Sequence, residues 1–299
     1  MTTSASTGPG GSRKVTAEPL TIAARDGHPL ASTWYRPKDH APDRVIVVAC
    51  AMAVRRGFYE PYARFLASQG LAVLTFDYRG IAGSLTGSIL ESRATLGDWG
   101  EQDYPAVIDH ARAQFPAARI GIVGHSIGGQ LIGMLDNVHH IDRICTVAAQ
   151  HGYWLRYGWR RAPKLALLWY VAVPAMTHAL AFFPGRRLKL GENLPKGVAL
   201  DWARSCRSRH YLLDRRGKPI RRGFERFSGR VLAYSVDDDT IAPRSTVEAF
   251  HRKFVNASVE LRHLAPRSFD IPEIGHIGFF SPKLKKTLWR DHAAWLAAT

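Results

Sequence analysis

Gly124-His125-Ser126-Ile127-Gly128-Gly129 is the stretch whose residue types and spacing point most directly to chemistry. An apolar run, 119–123, precedes it and a helical pattern, 127–135, follows. A strand that turns sharply into a helix through G-x-S-x-G holds its serine in a strained turn above the sheet. Gly124 and Gly128 leave space where a Cβ would clash. Ser126 is the candidate nucleophile, and the Ile127 N–H at the helix start is free to donate to an oxyanion.

A serine nucleophile needs a base and an acid that orients it. In strand–turn–helix sites of this kind the chain order is Ser, acid, His, each on a loop after a later strand. The strand pattern 230–236 ends in Asp237-Asp238-Asp239, followed by Thr240-Ile241-Ala242-Pro243. Asp239 is the first candidate for the acid because it stands four residues before Pro243. Asp238 is the alternative, and Asp237 reads as a strand-end residue. After the strand pattern 259–264, Gly275-His276-Ile277-Gly278 supplies the base, His276. The second oxyanion donor should follow the strand 44–50, where the Met52 N–H fits best. Alternatively, Met52 lines the pocket.

The elements that must position these residues are legible as a rhythm. Asp26-Gly27 marks a hairpin between 20–24 and 30–35. RVIVVAC at 44–50, LAVLTF at 71–76, RIGIV at 119–123 and RICTVA at 143–148 are continuous apolar runs, as expected of strands buried on both faces. Helical patterns at 58–69, 98–114, 127–135, 244–254 and 283–298 separate the strands. The alternation predicts an α/β fold, a doubly wound and mostly parallel sheet. The rhythm breaks at 151–228, which reads as a helical, aromatic-rich insertion. The expected division is a disordered leader at 1–17, a core at 18–150 and 229–299, and a lid at 151–228.

Charge singles out the same insertion. The chain carries 41 Lys and Arg against 25 Asp and Glu, a net charge of +16 over 299 residues. Residues 151–230 hold eighteen of those cations and four acids, a balance of +14; the remainder is at +2. A uniformly basic nucleic-acid binder would spread its charge, and no helix-turn-helix or RNA-binding aromatic signature occurs, so no nucleic acid is expected. The apolar run 165–184 has the length of a membrane span, but contains Pro174, Thr177 and His178. It reads as a buried or lid helix pair broken near Pro174, with peripheral membrane contact as the second option. Hydrophobic residues at 46% exclude disorder over most of the chain. Cys50, Cys145 and Cys206 form no metal or disulfide pattern and suit a reducing cytoplasm. No metal or nucleotide cofactor motif is present.

From residue 20 onward the chain resembles the α/β-hydrolase superfamily, and within it bacterial hydrolases of the serine aminopeptidase-like group. The residues that carry the resemblance are Phe76-Asp77-Tyr78-Arg79-Gly80-Ile81, the Gly124–Gly129 turn, Asp238-Asp239 before Ile241-Ala242-Pro243, and Gly275-His276-Ile277-Gly278-Phe279-Phe280. Within the insertion, His151-Gly152-Tyr153-Trp154, Phe183-Pro184-Gly185-Arg186-Arg187 and Trp202-Ala203-Arg204 resemble the same group. Cys50-Ala51 stands where many lipase-like members have His-Gly, and Ala82 where many have Gly. The resemblance implies hydrolysis through an acyl-enzyme by Ser126, His276 and Asp239. The group label suggests an aminopeptidase, but a cationic amine calls for unpaired carboxylates and the insertion is overwhelmingly basic. The expected substrate is a small-molecule ester or thioester of an apolar acyl group, with an anionic handle as an option. An amidase or an acyltransferase would use the same triad. A non-catalytic binding protein would be expected to have lost a triad member. Trp154, Trp159, Trp169 and Tyr170 either line an acyl pocket or pack the insertion onto the body.

Overall fold

The structure, a computed structural model, describes residues 13–39, 41–214 and 216–298. Eight strands form one sheet: β1 (Val15–Ala23), β2 (Pro29–Pro37), β3 (Arg44–Ala49), β4 (Ala72–Phe76), β5 (Arg119–His125), β6 (Ile141–Val147), β9 (Arg230–Val236) and β10 (Ser258–Leu264). Between β6 and β9, β7 (Phe182–Phe183) and β8 (Leu194–Pro195) pair as a separate ribbon. The order across the large sheet is β1-β2-β4-β3-β5-β6-β9-β10. In this sheet β2 runs antiparallel to both its neighbours, β1 and β4; the pairings β4–β3, β3–β5, β5–β6, β6–β9 and β9–β10 are all parallel. The mostly parallel α/β architecture expected from the alternating runs is therefore present.

Local chemistry explains the elements. Every residue of β3 and β4 is buried, which is why their apolar runs show no alternation. The hairpin turns at Gly27, whose φ of +87° suits glycine. The leader expected at 1–17 differs: residues 1–12 lie outside the described residues, and Val15 already opens β1, paired with Pro37. The pattern expected at 127–135 is a short α-helix, Ile127–Gln130, tightened into a 3-10 turn, Leu131–Met134.

Two long helical runs carry a π turn, and in each a proline follows it. Trp99–Asp103 precedes Pro105, and Leu168–Ala172 precedes Pro174. A proline lacks the N–H and crowds the carbonyl four residues back. That carbonyl, of Glu101 or Tyr170, falls inside the π turn, where the wider ring accommodates the ring of the proline. The break expected near Pro174 is thus absent. The chain stays helical through Ala162–Leu167, the π turn and Val173–Leu180.

The 151–228 segment sits over the carboxyl ends of the strands. Its Gly191 approaches the loop after β3 so closely that a Cβ would lie 2.4 Å from the Ala53 carbonyl oxygen, and Glu192 N–H donates to that same oxygen at 2.7 Å. Trp169 packs edge-on against Trp202 with centroids 4.7 Å apart, tying the helical run to the helix Lys196–Arg207.

Candidate active site

Ser126, directly after β5, has φ +52° and ψ −115°, a conformation that costs a non-glycine residue free energy and clusters at functional sites. Its neighbours make the turn feasible. A Cβ on Gly128 would lie 2.2 Å from the Ala49 carbonyl oxygen, and one on Gly124 would lie 2.6 Å from Gly129 Cα. The Ser126 N–H is anchored to the Val147 carbonyl at 2.8 Å, which ties the turn to β6.

Three adjacent aspartates after β9 do three different things. Asp239 Oδ2 meets His276 Nδ1 at 2.8 Å, while its Oδ1 accepts the N–H groups of Ile241 and Ala242 at 2.8 and 2.9 Å. Burial works to raise its pKa, but the His276 bond, its charge and the two amides outweigh burial, so the carboxylate is held below the usual range. Asp238 accepts the N–H groups of Ile274 and Gly275, each at 3.0 Å, and so secures the loop that carries His276. Asp237 meets His263 Nε2 at 3.3 Å at the edge of the sheet. Of the two candidates for the acid, Asp239 is the one beside the histidine.

Ser126, His276, Met52 and Ile127 line a single cavity of about 920 Å³. The amides of Met52 and Ile127 have no hydrogen-bond partner among the described residues. Ala53, with φ +60°, and the Val54 N–H bond to the Ala51 carbonyl hold Met52 in a tight turn. Phe58, Phe183, Leu194 and Trp202 supply an apolar wall, and the exposed Arg55, Arg186 and Lys189 lie at the rim. None of Trp154, Trp159, Trp169 and Tyr170 is part of the lining, which corrects the pocket-lining option for those aromatics. Trp169 is buried within the segment, and Trp159 is 80% exposed.

Sequence reasoning missed a buried chain of hydrogen bonds behind the site. His125 Nε2 lies 2.9 Å from the His276 carbonyl oxygen, and its Nδ1 lies 2.8 Å from the Tyr59 hydroxyl. Burial, reinforced by His276, pushes His125 down to about 3, so its ring is neutral. A neutral imidazole has one donor and one acceptor. The carbonyl can only accept, so Nε2 carries the proton and Nδ1 accepts from Tyr59. The Tyr59 oxygen in turn accepts the Ala51 N–H at 2.9 Å. One directional chain thereby links the loop bearing Met52 to the backbone of His276. The only signal in sequence was the histidine inside the G-x-S-x-G turn; nothing marked Tyr59.

A second buried polar group is Gln130, whose amide donates to Gln150 carbonyl and side-chain oxygens and accepts from Tyr211 at 2.6 Å. Both glutamines line the cavity. Among the described residues no group of three or more His, Cys, Asp or Glu is placed to hold a metal ion.

The comparison with known families converges on this architecture. The model of the alpha/beta hydrolase family matches residues 45–284, so the chain belongs to that family. Solved structures with similar folds include a hypothetical protein from Pseudomonas aeruginosa, with TM-score 0.64 and 15% identity over 95% of this chain and 93% of that one. An esterase from Exiguobacterium antarcticum superposes with TM-score 0.59 and 14% identity over 93% and 99% of the two chains. A Pyrococcus furiosus esterase gives TM-score 0.59 and 16% identity over 94% and 91%. At such identities the likeness is one of fold. No curated protein matches the chain.

Proposed function

We propose that the protein is a serine hydrolase that cleaves a carboxylic ester or thioester of an apolar acyl group through an acyl-enzyme. The observation that carries this reading is the convergence, in one cavity, of a strained Ser126 and a His276 oriented by the ionised Asp239. Ser126 Oγ attacks the acyl carbon and its proton passes to His276 Nε2. Asp239 accepts the Nδ1–H and stabilises the imidazolium. The oxyanion is held by the N–H groups of Met52 and Ile127. His276 then protonates the leaving alcohol or thiol. A water molecule, its proton taken by His276, attacks the acyl carbon and releases the acid and free Ser126. In this reading the 151–228 segment is a lid, and Gln130 and Gln150 are polar contacts on an otherwise apolar wall.

The cavity favours esters over amino-terminal peptide substrates. Its one acidic lining residue, Glu192, is engaged by Arg186, with Nε to Oε2 at 2.7 Å. No unpaired carboxylate among the lining residues is left for an ammonium group. A fluorophosphonate probe, competed with a matched panel of ester, thioester and amino-acid anilide, tests the reading. Labelling confined to Ser126, with esters or thioesters turned over fastest, is the expected result. Preferred anilide turnover, or labelling that survives Ser126→Ala, would overturn it.

A further inference from the structure

The outward face of the helical run 162–180 is apolar where water contact calls for charge. Ala162, Trp169, Val173 and Thr177 point inward and are buried. Leu167, Tyr170 and Val171 point outward; Leu167 is 61% exposed. An ordinary surface helix keeps its apolar residues to one stripe, whereas this one is apolar on both sides. Nor is the helix isolated in this respect. Eight of the thirteen large apolar side chains exposed among the described residues fall between Leu155 and Leu190, including Trp159. Scattered exposed apolar residues need no explanation, but a concentration of this kind marks an interaction surface.

The charge on the same stretch says what would cover it. No Asp or Glu occurs between Asp142 and Glu192. Arg160, Arg161 and Lys164 stand at the start of the helical run, and Arg186, Arg187 and Lys189 follow its end. Arg161 donates to the Thr240 carbonyl, and Arg186 pairs with Glu192. Lys164, Arg187 and Lys189 form no ion pair among the described residues. Arg160 stacks its guanidinium over the Trp159 ring at 5.1 Å, a cation and an amphipathic aromatic side by side. Among the described residues no helix is long and apolar enough to cross a membrane. Later in the same stretch, the exposed Leu190 and Lys189 also line the cavity.

We propose that this face docks on an anionic lipid surface, with Leu167, Val171 and Trp159 against the acyl boundary and the unpaired cations on phosphate headgroups. Apolar residues bordered by cations, with no acid among them, match both layers of such a surface at once. The docking rests on the face alone. Only its consequence rests on the ester-hydrolase reading: acyl esters dissolved in the bilayer would enter the cavity at Leu190 without crossing water.

Flotation with vesicles tests it, using Ser126→Ala protein so that no lipid is consumed. The vesicles are phosphatidylcholine alone, or phosphatidylcholine with about 30% phosphatidylglycerol. The protein is expected to float with the anionic vesicles, weakly with the neutral ones, and less as salt rises. Leu167→Glu/Val171→Glu and, separately, Lys164→Glu/Arg187→Glu should each lower the bound fraction by about tenfold, with an unchanged melting temperature showing that the fold is intact. Equal binding to both vesicles, or to neither, overturns the proposal. So does a self-associated protein that L167E/V171E renders monomeric, which would assign the face to a second copy. If the Ser126→Ala protein floats as expected yet no probe labels Ser126 in the wild type, the docking stands and the hydrolase reading falls.

Discussion

The carboxyl edge of the sheet and the outer surface of the 151–228 segment solve opposite problems. At the sheet edge polar groups are buried, and the ones around Ser126 and His276 are paired: Asp239 makes three hydrogen bonds and His125 makes two. On the segment surface apolar groups are exposed and cations stand unpaired. Burying a polar group without a partner costs more than the net value of the bond it lost. The first region therefore reads as a preorganised arrangement. Exposing Leu167 and Trp159 gains nothing for an isolated chain, so the second region reads as one that meets something else. Near-neutral charge in the body and +14 in residues 151–230 express the same division.

Variants should separate the two regions by the size and kind of their effects. The largest change is expected for Ser126→Ala, which should lower kcat by about 10⁶-fold with melting unaffected, measured on a p-nitrophenyl acyl ester. Asp239→Asn should cost about 10⁴-fold in kcat, because the imidazole loses its oriented tautomer. Asp238→Asn should cost about tenfold, since it only loosens the loop under His276; comparable losses for the two would erase the distinction between them.

Acid should weaken the body. Burial holds His125, His151 and His292 down to about 3 and His251 to about 4, against 6.5 in an unfolded chain. The unfolded state then binds protons that the folded state refuses. Stability is full above pH 6.5 and falls as pH drops toward 4, with all four histidines acting in the same direction. Asp239, with its folded pKa depressed, acts in the same direction at lower pH. Melting curves at pH 7 and pH 5 check this, and coincident curves would contradict it.

Tyr59→Phe strands the Ala51 N–H and His125 Nδ1, and should cost about 1–3 kcal/mol of stability along with a lower kcat. Tyr78→Phe is the control, because the buried Tyr78 hydroxyl has no partner to lose; it should be neutral or stabilising. At the small end, Leu167→Glu should leave stability within about 0.5 kcal/mol, as befits a side chain that is mostly exposed in the isolated chain.

Most of the fold was legible because parallel strands buried on both faces write themselves as apolar runs, and RVIVVA and AVLTF are such runs. Element ends were less legible. The strand at Val15–Ala17 carries no apolar run, since it is an edge strand with one neighbour. The continuity of the helical run through Pro174 was hidden because a π turn removes the clash that a proline normally creates. In the candidate site, the positions of Ser126 and His276 stood out from glycines placed where a tight turn needs them. The division of labour among Asp237, Asp238 and Asp239 was not, because three identical side chains at successive positions differ only in what they face.

The sequence alone therefore determined the parts whose cause is local: the alternation of strands and helices, the glycine-bounded turn at Ser126, and the confinement of positive charge to 151–230. Only the tertiary structure decided the parts whose cause is distant in the chain. It brought Asp239 to His276, joined Ala51 to His276 through Tyr59 and His125, and turned Leu167 and Val171 outward while Trp169 went in. The physical reason is common to all three. A hydrogen-bond partner or a burial state belongs to a place in space, and residues far apart in sequence share that place only once the sheet has assembled.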